Sequence, residues 1–154
     1  MGWGLLWIAL LAGLLLSAGI EDVRHREIAN WKNAAIALLA PLWWWSNGNV
    51  LWPDIVLQLS VAALFFAFFC IAFHFGQMGG GDVKMIGALS LWLPFTALIG
   101  MLLVMAIVGG VLTSILVVER RIRRKTEAVE VPYGVAIAIA GLLALREPLL
   151  NQFT

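Results

Sequence analysis

The sequence predicts an all-α, polytopic integral membrane protein with about six membrane segments, one of them short or partly re-entrant. Of its 154 residues, 62% are hydrophobic and 12% charged, whereas a soluble domain carries about 25% charged residues. The mean hydropathy is +0.96. Apolar runs fall at 3–20, 34–46, 55–75, 85–93, 95–118 and 132–150, and about 20 apolar residues cross a bilayer as a helix. Tryptophans (Trp31 and Trp43-Trp44-Trp45) flank the second run, as aromatic belts flank membrane helices. Residues 1–154 therefore read as one membrane-embedded domain with no room for a separate soluble one.

No Lys or Arg precedes the first run. A secretory signal peptide wants a basic leader, so the small residues Ser17-Ala18-Gly19 do not mark a cleavage site and the run reads as a retained span. The second run is short, and its flanking tryptophans argue for its being a span. Asp54 follows Pro53 at the start of the third run and reads as an outward-facing cap. The single cysteine, Cys70, lies inside that run. Disulfides within the chain and cysteine-based zinc sites are excluded, and Cys70 reads as a small apolar residue. The fourth run is followed by Pro94. At about 1.5 Å per residue it cannot cross about 30 Å of hydrocarbon, so it reads as a short or partly re-entrant helix starting near Asp82. Gly109-Gly110 in the fifth run suits close helix packing. Glu119–Glu130 is the only continuous hydrophilic stretch. Its Arg120–Lys125 cluster reads as an anchor to anionic lipid headgroups, and nucleic-acid binding is not expected.

Basic residues set the orientation. Of ten Lys and Arg, three (Arg24, Arg26, Lys32) follow the first span, Lys84 follows the third and five follow the fifth. By the positive-inside rule these loops face the cytoplasm and both termini face outward, provided that residues 83–93 count as a crossing. Asp22 and Asp82, 60 residues apart, then share the cytoplasmic side.

Chemistry concentrates in two polar breaks. Gly79-Gly80-Gly81-Asp82-Val83-Lys84 sets a carboxylate behind three glycines, whose bare backbone allows close approach and positive φ. Glu21-Asp22-Val23-Arg24-His25-Arg26 holds a second acid. Ionisable groups near hydrocarbon are expensive and point to function. Asp82 is open to two readings, a helix N-cap or a catalytic acid, and the two are compatible. Asp22 alone is either a solvated acid beside Arg24 or Arg26, or half of a pair. Together they suggest an aspartyl protease at the membrane surface. Two close carboxylates share one proton; the charged member activates water and the protonated one donates to a peptide carbonyl. His74 and His25 read as interfacial and loop residues, without ligand spacing for a metal.

These motifs resemble those of the type IV prepilin peptidases, membrane aspartyl proteases that share the glycine–aspartate signature with presenilins. Gly79-Gly80-Gly81-Asp82-Val83-Lys84 is similar to that signature. Asp22-Val23-Arg24-His25-Arg26-Glu27-Ile28-Ala29-Asn30 is similar to the family's first motif, and Val131-Pro132-Tyr133-Gly134 to the Pro-Tyr-Gly start of its last helix. The three occur in family order and span nearly the whole chain, which looks like the short forms that process tight-adherence (Flp-type) pilins. Ala29 stands where the family usually has proline, and the cysteine-rich cytoplasmic domain of the bifunctional members is absent.

The resemblance implies that Asp22 and Asp82 are the catalytic pair and that Gly79, Gly80 and Gly81 shape the active-site loop. It implies that Lys84 orients a carboxylate or meets lipid phosphate, and that Asn30 holds the loop after Asp22. Pro132, Tyr133 and Gly134 would line the site, with Tyr133 offering a hydroxyl. The implied substrates are prepilins or pseudopilins, cut after a glycine at the inner face of the cell membrane, with membrane lipid and pilus assembly machinery as partners. No metal or organic cofactor is implied, and N-methylation of the trimmed pilin is not expected. Two other classes stay open: a small proton- or cation-coupled transporter or channel component with the aspartates as ion sites, and an inactive scaffold of a pilus assembly system.

Overall fold

The computed structural model describes residues 2–123 and 131–146, and places them in six helices and the turns between. They are α1 (Gly2–His25), α2 (Asn30–Ser46), α3 (Val56–His74), α4 (Gly80–Leu89), α5 (Phe95–Arg123) and α6 (Tyr133–Ala144), with a short helical turn at Leu51–Ile55 leading into α3. Three segments are long and apolar enough to cross a membrane: Gly4–His25, Leu51–His74 and Phe95–Arg123. Arg124, Lys125 and the rest of the hydrophilic stretch to Glu130 lie outside the described residues, as does the end of the last apolar run.

Long and short helices divide the work. α4 and α6 have 10 and 12 residues, or roughly 15 and 18 Å at the helical rise, too short to span hydrocarbon alone. Yet they hold much of the core: Val83, Met85, Ile86, Ala88 and Leu89 of α4, and Ala136, Ile137, Ala138 and Ala140 of α6 are buried. The longer helices wrap them, α1 and α5 against α6, and α2 and α3 against α4. Large apolar side chains on the outside, such as Phe68 and Ile71 of α3 and Leu103, Ile107 and Val111 of α5, are exposed. In a chain this apolar they form the lipid-facing surface.

The end of α4 shows how a buried helix end is satisfied. Its freed carbonyls need partners away from water. Gln58 Nε2 donates to the carbonyls of Ser90 and Leu93 at 2.6 and 2.7 Å, and Trp44 Nε1 to that of Leu91 at 2.9 Å. Trp92 in turn donates its indole N–H to the Ile36 carbonyl at 2.8 Å. The short fourth segment expected from the sequence is present, stopped by a polar cap contributed by α2 and α3.

Three helix boundaries at the two polar breaks differ from the apolar runs. α1 continues through the polar break to His25, because Arg24 and His25 sit favourably at a helix C-terminus. Arg26 then ends it with a left-handed φ of 57°. α2 begins at Asn30 rather than 34, its polar first turn accommodated because Lys32 and Asn33 find partners. α4 begins at Gly80. Gly79, Gly80 and Gly81 do not use positive φ, which occurs at Gly48 and Gly76 instead. Of the expected glycine pair in α5, Gly109 meets α6 directly, whereas Gly110 faces open space.

Candidate active site

Both aspartates sit at helix N-termini, by different routes. Gly79 is the N-cap of α4 and Asp82 its third residue. The Asp82 carboxyl accepts a hydrogen bond from the Gly79 backbone N–H, the reach-back half of a capping box. A Cβ on Gly79 would lie 2.9 Å from Asp82 Oδ2, so a side chain there would displace that carboxyl. Asp22 lies in the last turn of α1 and caps a different helix. Its Oδ2 accepts from the Val135 N–H at 3.3 Å, and its carboxyl also from the Gly134 N–H, both in the first turn of α6. A helix N-terminus is a natural seat for an anion.

Asp22 is only 5% exposed. The alternative of a solvated acid in a basic loop is therefore corrected: with α1 extended to His25, Asp22 points into the bundle instead of into solvent. Gly134 makes this possible. A Cβ there would lie 2.9 Å from both Cγ and Oδ2 of Asp22 and 2.7 Å from Ile28 Cδ1.

The aspartates line one cavity of about 390 Å³, together with Arg26, Glu27, Ile28, Asn30 and the three glycines. Asp82, outside the long apolar spans, has its carboxyl pushed up from 3.8 to about 6, by burial first and by the negative charge of Asp22 second. The two acids therefore cannot both ionise cheaply.

Other expected site residues are distributed differently. Lys84 orients neither carboxylate; its Nζ donates to Asn30 Oδ1 at 2.8 Å. It lines a neighbouring groove of about 400 Å³ with Phe66, Gly87, Ala88 and Leu91, and Asn30 borders both hollows. Pro132, Tyr133 and Gly134 do not line the aspartate cavity. Pro132 is the N-cap of α6, Gly134 supports Asp22 from behind, and the Tyr133 ring packs on Gly109, whose added Cβ would lie 3.0 Å from Cε1. Asp54 accepts from the Val50 N–H at 3.1 Å, as a cap would, and does not line the cavity. Three contributors were not singled out from the sequence: Lys32, Glu21 and Asn33. Lys32 and Asn33 are buried polar residues at the start of an apolar helix, a signal visible only once α2 is known to begin at Asn30.

The family model described as the type IV leader peptidase family matches residues 9–114, a range that carries both aspartates. A prepilin leader peptidase/N-methyltransferase of Xanthomonas campestris pv. campestris is 29% identical over 151 residues, covering 91% of this chain and 49% of that protein. One of Aeromonas salmonicida is 30% identical over 155 residues, covering 94% and 50%. One of Stutzerimonas stutzeri is 27% identical over 147 residues, covering 88% and 47%. The chain spans about half the length of these curated relatives. No solved structure matches it. With paired aspartates at the start of α4 and the end of α1, and a family match running through both, this chain belongs to the type IV leader peptidase family.

Proposed function

We propose that the chain is a membrane aspartyl endopeptidase that removes leader peptides from type IV prepilin-like proteins at the cytoplasmic face of the cell's inner membrane. The observation that carries this is the meeting of Asp22 and Asp82 in one polar cavity, at one end of an otherwise apolar bundle. The family membership supports the substrate class, and the basic residues near both aspartates, Arg24, Arg26 and Lys84, support the cytoplasmic orientation.

The chemistry follows from the pair. Charged Asp22 takes a proton from a water, and the resulting hydroxide adds to the scissile carbonyl carbon. Asp82 gives its proton to the carbonyl oxygen, forming a neutral gem-diol. Asp22 then passes its proton to the amide nitrogen while Asp82 takes one back from the diol. The C–N bond breaks, releasing an amine and a carboxylic acid with the pair restored. The three glycines line the cavity beside Asp82, where an extended peptide can lie against the main chain.

The substrate's basic leader stays on the cytoplasmic side and its apolar helix in the bilayer, which brings the scissile bond to the depth of the pair. Anionic lipid and pilus assembly components are proposed as neighbours. Methylation, the second activity in the relatives' names, is not assigned to these 154 residues.

The test is cleavage by the purified chain in liposomes, read by the mass of the pilin product. The expected product has lost its leader and, with S-adenosylmethionine present, carries no added methyl group. An uncut prepilin would overturn the peptidase assignment, and a methylated product the second part.

A further inference from the structure

The first turn of α2 reaches toward both aspartates at once. Lys32 Nζ donates to Glu21 Oε2 at 2.8 Å and to the Ser17 carbonyl at 3.0 Å. Glu21 immediately precedes Asp22, and its Oε2 also accepts from the Ala29 N–H at 3.1 Å. One residue further along α2, Asn33 Nδ2 donates to the Gly81 carbonyl at 3.2 Å, and Gly81 immediately precedes Asp82. Asn30 adds the tie to Lys84, two residues beyond Asp82. Lys32 and Asn33 are only 7% and 4% exposed. Such residues are seldom buried, and a buried ammonium is costly unless paired. α2 therefore keeps two expensive side chains in adjacent positions, each bound beside a different aspartate.

We propose that this turn is a jig that sets the separation of the two aspartates, with Lys32 and Asn33 as positioning residues. The proposal rests on Asp22 and Asp82 being the catalytic pair. The pair comes from helices α1 and α4, whose ends must be registered across the cavity. Misplacement of a catalytic group by about 1 Å can cost 10²-fold in rate, and fixing register is the best-attested use of a buried polar contact. Asn33 contributes as a donor alone, because its Oδ1 is buried without a partner.

That detail separates positioning from folding. Gly81 lies inside α4, so its carbonyl also accepts within the helix. Replacing Asn33 by Leu, of similar size, leaves that carbonyl satisfied and removes an unpaired buried oxygen, a change that is nearly neutral or stabilising. Among the described residues, the charged groups around the pair are Glu21, Arg26 and Glu27 on and after α1, Lys32 on α2 and Lys84 on α4, while the α6 residues Tyr133–Ala144 bring none.

The experiment uses the full chain in liposomes with a prepilin substrate, comparing Asn33→Leu, Lys32→Met and Lys32→Arg with Asp22→Asn and Asp82→Asn. Asn33→Leu should lower kcat roughly ten- to a hundredfold with KM within about twofold and thermal stability unchanged or raised. Its high-pH limb should move to lower pH, because carboxylates further apart share their proton less tightly. Lys32→Met should show the same kinetic signature with reduced stability, and Lys32→Arg should recover part of the rate. Wild-type kcat in Asn33→Leu, or a lowered kcat with an unmoved pH profile, would overturn the jig. If instead either aspartate variant still cleaved, the catalytic pair would fall and the jig with it.

Discussion

Gly134→Ala puts the smallest possible side chain where Asp22 meets α6. The new Cβ would lie 2.9 Å from Cγ and Oδ2 of Asp22 and 2.7 Å from Ile28 Cδ1. Ile28 Cδ1 is the end of a flexible side chain and can swing aside. The carboxyl cannot do so without losing the Val135 and Gly134 N–H groups. Ordinary contact begins near 3.5 Å, so the carboxylate or the helix must give by roughly 0.6 Å. With about 10²-fold lost per ångström of misplacement, kcat should fall by on the order of ten- to a hundredfold. Folding should suffer less. Overpacking costs about 1–3 kcal/mol, offset by up to about 1 kcal/mol because Ala forms helix better than Gly. Gly110→Ala is the control, since a Cβ there meets nothing within 4 Å. Cleavage of a prepilin in liposomes, followed by mass, gives the rates, and thermal unfolding in detergent gives stability. A Gly134→Ala enzyme within about twofold of wild type would refute the claim that contact with α6 places Asp22 for catalysis.

The raised Asp82 carboxyl makes a stability prediction with a definite sign. A folded-state value of about 6 against 3.8 means the folded chain binds this proton more tightly than the unfolded one. Stability from this group is therefore greatest below about pH 4 and falls as pH rises to about 6. Asp82→Asn should remove that fall and melt no lower than wild type at about pH 7.5, although inactive; a wild-type slope in the variant would count against it. Topology is tested by reporters at 24, 84 and 123, which should all report the cytoplasm, with one near 48 reporting the outside. A reporter putting 84 on the outer face would separate the aspartates by a membrane and contradict the orientation.

The glycine–aspartate motif was legible because a carboxylate behind three glycines in an apolar chain has few structural uses, and the short fourth segment because Pro94 follows only nine apolar residues. Which helix each aspartate would cap was not. Asp82 closes on its own helix, a local pattern that the spacing from Gly79 allows, whereas Asp22 caps α6 from 113 residues away in sequence, a contact no local pattern encodes. Lys32 read as one more basic loop residue. Its burial depends on Glu21 lying on the neighbouring helix, and hence on α1 running past the polar break. Tyr133 was expected to line the site, whereas its ring packs on Gly109 of α5. In each case the missing information was a partner distant in sequence.

The most direct test of the account is the rate of prepilin cleavage by Asp22→Asn, Asp82→Asn and the double variant, each confirmed to insert and fold. The substitutions keep side-chain size and remove one ionisable group. Each single variant should lose cleavage, and the double should be no worse than either, because a pair sharing one proton acts as a unit. Asp54→Asn, outside the cavity, should keep near-normal activity. Cleavage by either single variant at an appreciable fraction of the wild-type rate would contradict the aspartyl mechanism and return the two acids to the reading of ion sites in a transporter.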